Sequence, residues 1–130
     1  MRNDFNLMIS PDAKVRVGRN TFFNNHCSLN ALCSISIGDN CLFGEGVRIY
    51  DHNHRFSKVG LPFVLQGFKS GDVQIGSNCW IGSNVLILKG AVIGDNCVIG
   101  AGSIVSGSIP PSSLVKPTVQ LNISKISFAD

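Results

Sequence analysis

Two histidines stand two residues apart in Ile49-Tyr50-Asp51-His52-Asn53-His54-Arg55-Phe56. Imidazole is the side chain whose ordinary pKa lies nearest neutrality, so either ring can take a proton from a hydroxyl or an amine and hand it on. Asp51, Glu45 or a backbone carbonyl is available to orient the ring. His26, His52 and His54 could instead ligate zinc, but their spacing matches no common zinc pattern, and no C-x-x-C pair adds to it. Two further features can hold a ligand. Trp80, the only tryptophan, sits in Asn78-Cys79-Trp80-Ile81-Gly82-Ser83-Asn84. A ring of that size directed outward covers a subunit interface or a flat ligand. Gly100-Ala101-Gly102-Ser103 leaves backbone amides and carbonyls open to a long, thin ligand. Polar loop residues, a surface ring and tight-turn residues would account for the same letters without chemistry, so what matters is the scaffold that holds them.

That scaffold counts in sixes. Ile75-Gly76, Ile81-Gly82, Ile87, Ile93-Gly94, Ile99-Gly100 and Val105 share one register, and Cys79, Val85, Ala91, Cys97, Ser103 and Ile109 share a second, four residues later. Neither a helix of period 3.6 nor a strand of period 2 produces this. A coil of three short, flat faces does, with an aliphatic residue inward on each face and a small residue at each turn. The pattern predicts an all-β chain, a single parallel β-helix. Upstream, Val17-Gly18, Phe23 and Leu29 keep the step of six, the next step is eight to Ile37-Gly38, and Phe43-Gly44 and Ile49 resume it. Two extra residues should therefore bulge at a corner near Asn30 to Ser34. The coils are expected over about residues 13–110, ended by Pro110-Pro111, since proline cannot donate to a ladder.

Residues 52–72 lack the pattern and form one long excursion loop, a length that is usually functional in a compact domain. Its Phe56, Phe63 and Phe68 are expected to anchor it on a neighbouring surface. His52 and His54 lie where the chain leaves the coil, so their rings are expected to diverge. The tail, residues 112–130, alternates at Val119, Leu121 and Ile123 and reads as a short strand or C-terminal cap.

Composition narrows the class. A hydrophobic fraction of 44% with 15% charged residues excludes disorder, and 14 glycines without a collagen period fit a turn-rich coil. No segment reaches the roughly 20 apolar residues of a membrane span. Met1-Arg2-Asn3-Asp4-Phe5 is not a signal peptide, so a cytoplasmic protein is expected. Cys41, Cys79 and Cys97 occupy the small inward slot, where a thiol acts as a compact hydrophobe, so free core thiols are expected. The net charge of +3 comes from scattered basic residues. It suits a phosphorylated ligand but forms no nucleic-acid stripe.

The stretches DHNHRF (51–56) and IGSNCWIGSNVLILKGAVIGDNCVIGAGSIVSGSIPP (75–111) resemble the left-handed β-helix, hexapeptide-repeat acyltransferases, most of all the sugar O-acetyltransferases, over residues 15–111. The resemblance implies a left-handed coil, a homotrimer, and acetyl-CoA lying between neighbouring subunits as co-substrate, with no metal. It implies His54 as general base, since Asn53-His54-Arg55 is similar to the xenobiotic acetyltransferase motif, with His52 as the alternative. It places Trp80 near the active site and Ser83 and Ala101 against the pantetheine arm. Ser106-Gly107 stand where relatives often carry a lysine near the nucleotide end, a contact Lys116 would restore. The implied acceptor is a sugar or sugar nucleotide, in surface polysaccharide synthesis. The rivals are an N-acetyltransferase for amino-sugar nucleotides, a non-catalytic hexapeptide assembly protein, and a γ-type carbonic anhydrase.

Overall fold

Three parallel five-stranded sheets form the walls of a prism in the computed structural model, which describes residues 4–118 and 120–128. The first face stacks β1 (Asn6–Ile9), β4 (Ser28–Ala31), β7 (Arg48–Tyr50), β12 (Leu86–Ile87) and β15 (Ile104–Val105). The second stacks β2 (Lys14–Val17), β5 (Ser34–Ile37), β10 (Val73–Ile75), β13 (Val92–Ile93) and β16 (Ser108–Ile109). The third stacks β3 (Phe22–Phe23), β6 (Leu42–Phe43), β11 (Trp80–Ile81), β14 (Val98–Ile99) and β17 (Leu114–Val115). The register aligns like with like. Leu29, Ile49, Ile87 and Val105 form one column, Ile37, Ile75, Ile93 and Ile109 a second, and Phe23, Phe43, Ile81, Ile99 and Val115 a third. These columns meet inside the prism as one apolar core. Corners turn through left-handed residues such as Asn40, Asn78 and Asn96, a conformation that asparagine tolerates. The Asn78 amide donates to the Asn96 side-chain oxygen at 2.7 Å, tying two corners together.

Cys41, Cys79 and Cys97 are free and buried, as their slot predicts. Each thiol donates to a carbonyl of the coil above: Gly76 at 3.1 Å, Gly94 at 3.2 Å and Pro110 at 3.2 Å, respectively.

Every departure from six falls at one edge. The second-to-third turn spans six residues at each level, from Val17 to Phe23 through to Ile109 to Val115, and so does the third-to-first turn. The first-to-second turn takes ten residues from Leu7 to Val17, eight from Leu29 to Ile37, twenty-six from Ile49 to Ile75, six from Ile87 to Ile93, and four from Val105 to Ile109. The predicted two-residue bulge is the second of these. The last corrects an expectation: Ile109 pairs with Ile93 in the large aliphatic slot, not in the small slot above Ala91.

The coil also runs further than expected, from Asn6 to Val115 instead of about 13 to 110. Pro110 does not end it because β16 is an edge strand, with no coil above to receive an N–H. Past Val115 the chain forms no strand among the described residues, and Leu121, Ile123, Ile126 and Phe128 are exposed; Val119 lies outside the described residues. Three alternating residues with no face to bury do not specify a strand.

The excursion is a hairpin. β8 (His52–His54) pairs antiparallel with β9 (Phe68–Ser70), and a single 3₁₀ turn covers Phe63–Leu65. Gln66 closes its tip, donating to the carbonyls of Leu61 (2.7 Å) and Lys58 (3.1 Å) and accepting from the Lys58 N–H at 3.0 Å. Of the three phenylalanines expected to anchor the loop, Phe68 packs on both histidines, whereas Phe56 and Phe63 stay exposed.

Candidate active site

The site is built at the irregular edge, and its foundation is Asp51. This carboxylate is fully buried. The two-residue bulge turns three successive backbone N–H groups toward it: Leu32 donates to Oδ1 at 2.9 Å, and Cys33 and Ser34 donate to Oδ2 at 2.7 and 2.8 Å. The Nδ1 of His52 lies 2.9 Å from Oδ1. An ionised carboxylate only accepts, so the proton of this contact sits on Nδ1 and the lone pair of a neutral ring on Nε2. Burial pushes the Asp51 carboxyl up, but the N–H of Leu32, the His52 ring and the N–H groups of Cys33 and Ser34 together outweigh it and hold the pKa below its ordinary value. The sequence left the orienting group open; for His52 it is Asp51.

His52 and His54 are alternate residues of one strand, so both rings lie on one face of the hairpin. Phe68 touches each, its centroid 5.3 Å from His52 at 88° and 4.6 Å from His54 at 40°. The rings therefore do not splay apart as the sequence suggested, because the strand persists through the exit from the coil. They open into separate grooves. His52 lines one of about 320 Å³ with Met8, Asn30, Tyr50 and Phe68. His54 lines one of about 310 Å³ with Asn53, Arg55, Lys69 and Lys89, and on its other side an open apolar one of about 560 Å³ with Phe56, Phe63 and Val64. Sequence reading missed Lys69 and Lys89, which are distant in the chain from the histidines. They share the groove of His54 because β9 returns beside β8 and the hairpin base packs on the next coil. There Gly90 donates to the Gly71 carbonyl at 3.2 Å, and a Cβ on Gly71 would stand 3.2 Å from the Gly90 nitrogen.

The other predicted residues lie elsewhere on the prism. Ser83 and Ala101 stack at the third-to-first edge, where Gly102 donates to the Ser83 carbonyl at 2.9 Å. A Cβ on Gly82 would sit 2.6 Å from the Ala101 nitrogen, so the two rungs approach as closely as glycine allows. Lys116 ends the same edge one position away, opposite Gly100 and just beyond the Gly100 N–H to Val115 carbonyl bond of 2.7 Å. The structure thus gathers Ser83, Ala101 and Lys116 at one edge and the histidines at another. Trp80 projects from the third face, 55% exposed. It is the centre of an outward apolar row, Phe22, Leu42, Trp80, Val98 and Leu114. Its groove shares no residue with either histidine groove.

Among the described residues no three His, Cys, Asp or Glu side chains cluster as metal ligands, and no helix is long and apolar enough to cross a membrane. Residues 72–107 match the family model described as bacterial transferase hexapeptide (six repeats), and residues 29–50 match the hexapeptide repeat of succinyl-transferase. The chain is 38% identical over 111 residues to the galactoside O-acetyltransferase of Escherichia coli strain K12, an alignment covering 82% of this chain and 51% of that protein. It is similar to the crystal structure of a maltose O-acetyltransferase from Clostridium difficile 630, with TM-score 0.74, 36% identity, and coverage of 87% of this chain and 60% of that one. It is similar also to a hexapeptide-repeat acetyltransferase of Vibrio cholerae solved with acetyl coenzyme A, with TM-score 0.74, 27% identity, and coverage of 88% and 61%. The chain spans between 37% and 53% of the length of the first curated relatives it matches. The prism of six-residue rungs, its histidine-bearing excursion and these likenesses converge: the chain belongs to the hexapeptide-repeat acetyltransferases.

Proposed function

We propose that this protein transfers the acetyl group of acetyl-CoA to a hydroxyl of a sugar, one used in surface polysaccharide, with His54 as general base. The observation that carries the reading is the position of His54, on the β8–β9 hairpin at the wall of a groove bordered by Arg55, Lys69 and Lys89, within an acetyltransferase fold. Its ring takes the hydroxyl proton as the oxygen attacks the thioester carbonyl; the C–S bond then breaks and the imidazolium returns the proton to the CoA sulfur. Acetyl-CoA runs along the Ser83, Ala101 and Lys116 edge. In one chain that edge and Trp80 stand apart from His54, and the Trp80 row offers an apolar face to a second copy. A closed ring of three, in which one copy's histidines meet another's Trp80, brings the parts together. Reduced core thiols and this donor suit a cytoplasmic setting.

His54→Ala should lower turnover by roughly 10²–10⁴-fold, the usual contribution of a positioned base, while CoA affinity holds. Release of CoA thiol over sugar acceptors measures it. One observation favours a second reading: the Asp51–His52 contact is the geometry of an oriented base. On that reading His52→Ala abolishes turnover and His54→Ala does not. Full turnover in both variants would remove the general-base mechanism. Transfer to amino-sugar nucleotides instead of hydroxyl acceptors would move the reading to the N-acetyltransferases.

A further inference from the structure

We propose that the acceptor bound beside His54 is anionic, carrying a phosphate or carboxylate that Arg55, Lys69 and Lys89 hold. The inference rests on the acetyl-transfer reading and specifies its substrate class. Three cations from three separate elements line one groove: Arg55 follows β8, Lys69 lies within β9, and Lys89 sits on the corner after β12. No acidic side chain lines it. Neither lysine ammonium forms an ion pair or hydrogen bond among the described residues, whose ion pairs are His26 with Asp4 and His52 with Asp51. Arg55 is oriented through Nε, which donates to the Phe68 carbonyl at 3.0 Å, and its remaining donors are uncommitted. Like charges gathered without counter-charge repel one another, and the molecule has acids it could have placed here. The cost is recovered when an anion enters, because charge-assisted hydrogen bonds to a phosphate or carboxylate are the strongest polar contacts available. Asn53 and Ser57, on the same wall, suit the neutral hydroxyls of a sugar. By contrast, the groove of His52 is lined mainly by apolar residues and holds no lysine or arginine.

Direct titration of the full chain with galactose, galacturonate and galactose phosphate at low salt tests this, since binding is read without turnover. The charged probes should bind about tenfold or more tightly than galactose, the equivalent of one charged contact. The preference should shrink as salt screens it. Lys69→Gln with Lys89→Gln should erase it, and Lys69→Arg with Lys89→Arg should keep it; both pairs change exposed or half-buried side chains, and thermal unfolding checks that each folds. Equal affinity for neutral and charged probes, or a preference that survives the glutamine pair, would overturn the proposal. So would a glutamine pair that loses its discrimination between CoA and dephospho-CoA while keeping the sugar preference, because the cations would then serve the donor. A chain that prefers charged sugars yet releases no CoA thiol with any of them keeps the anion site and refutes the acetyl-transfer reading instead.

Discussion

Replacing Asp51 by Asn removes one charge and changes almost no volume, which makes it the sharpest probe of the irregular edge. The native carboxylate accepts three backbone N–H groups and the His52 ring with two oxygens. An amide has one acceptor oxygen. With that oxygen toward Cys33 and Ser34, its NH₂ faces the Leu32 N–H, and a buried donor left unsatisfied costs about 1–3 kcal/mol. The two bonds that remain lose their charge assistance, a further ~1–2 kcal/mol in total. Asp51→Asn should therefore destabilise the fold by about 2–5 kcal/mol at neutral pH, read by urea unfolding. The loss must depend on pH. The Asp51 pKa is lower in the fold than in the unfolded chain, so its contribution is complete above the unfolded value of about 3.9 and disappears as pH falls through the folded one. Wild type and variant should converge in acid. The NH₂ also donates to His52 Nδ1, which moves the ring proton to Nε2. If His52 were the base, turnover would collapse with it; with His54 as base, turnover per folded molecule should stay within about tenfold. A variant as stable as wild type at pH 7, or a stability gap unchanged in acid, would refute the account of the bulge as a carboxylate clasp.

Ile93→Ala, at a position 2% exposed in the aliphatic column of the second face, should cost about 2–5 kcal/mol in chemical unfolding, and no change would mean the register is wrong. Sedimentation at micromolar concentration should find three copies, and Trp80→Ala should weaken the assembly; an active monomer would exclude a shared site. Cys33 is the one cysteine not buried, and the Asp72 carboxylate that its thiol meets at 3.0 Å pushes its pKa up. A thiol reagent should label Cys33 alone in the folded chain, and Asp72→Asn should speed the labelling. Cys79, whose pKa burial pushes up to about 11, should react only on unfolding.

The regular part of this molecule was legible because its signal is periodic. A step of six with Ile on the beat names the inward residues, and the extra step of two before Ile37 locates the bulge. What the bulge does was not legible, since its three donors are backbone groups and the group they hold lies on the next coil. Ile109 was misplaced because the residue four after an inward Ile fills the small slot in each preceding six-residue turn, whereas here the turn itself is shortened to four, which only the pairing with Ile93 reveals. Pro110 reads as a terminator in any central strand and loses that meaning on the last rung. His52 and His54 were visible as a pair. That only His54 borders a basic groove was not, because Lys69 and Lys89 reach that groove through a hairpin return and a coil contact that leave no local mark.

The uneven edge also bears on how such a protein can change. Inserting a single residue at either regular edge would shift the alternation of everything downstream and turn isoleucines outward. At the first-to-second edge the chain already absorbs intervals from four residues to twenty-six with the aliphatic columns still in step. Lengthening a loop there costs only a slowly growing entropy. That edge therefore works as a cassette slot. Segments of different length and chemistry can be exchanged at it, by mutation in nature or by grafting in the laboratory, and the new side chains arrive beside the same fixed scaffold without the barrel having to be solved again.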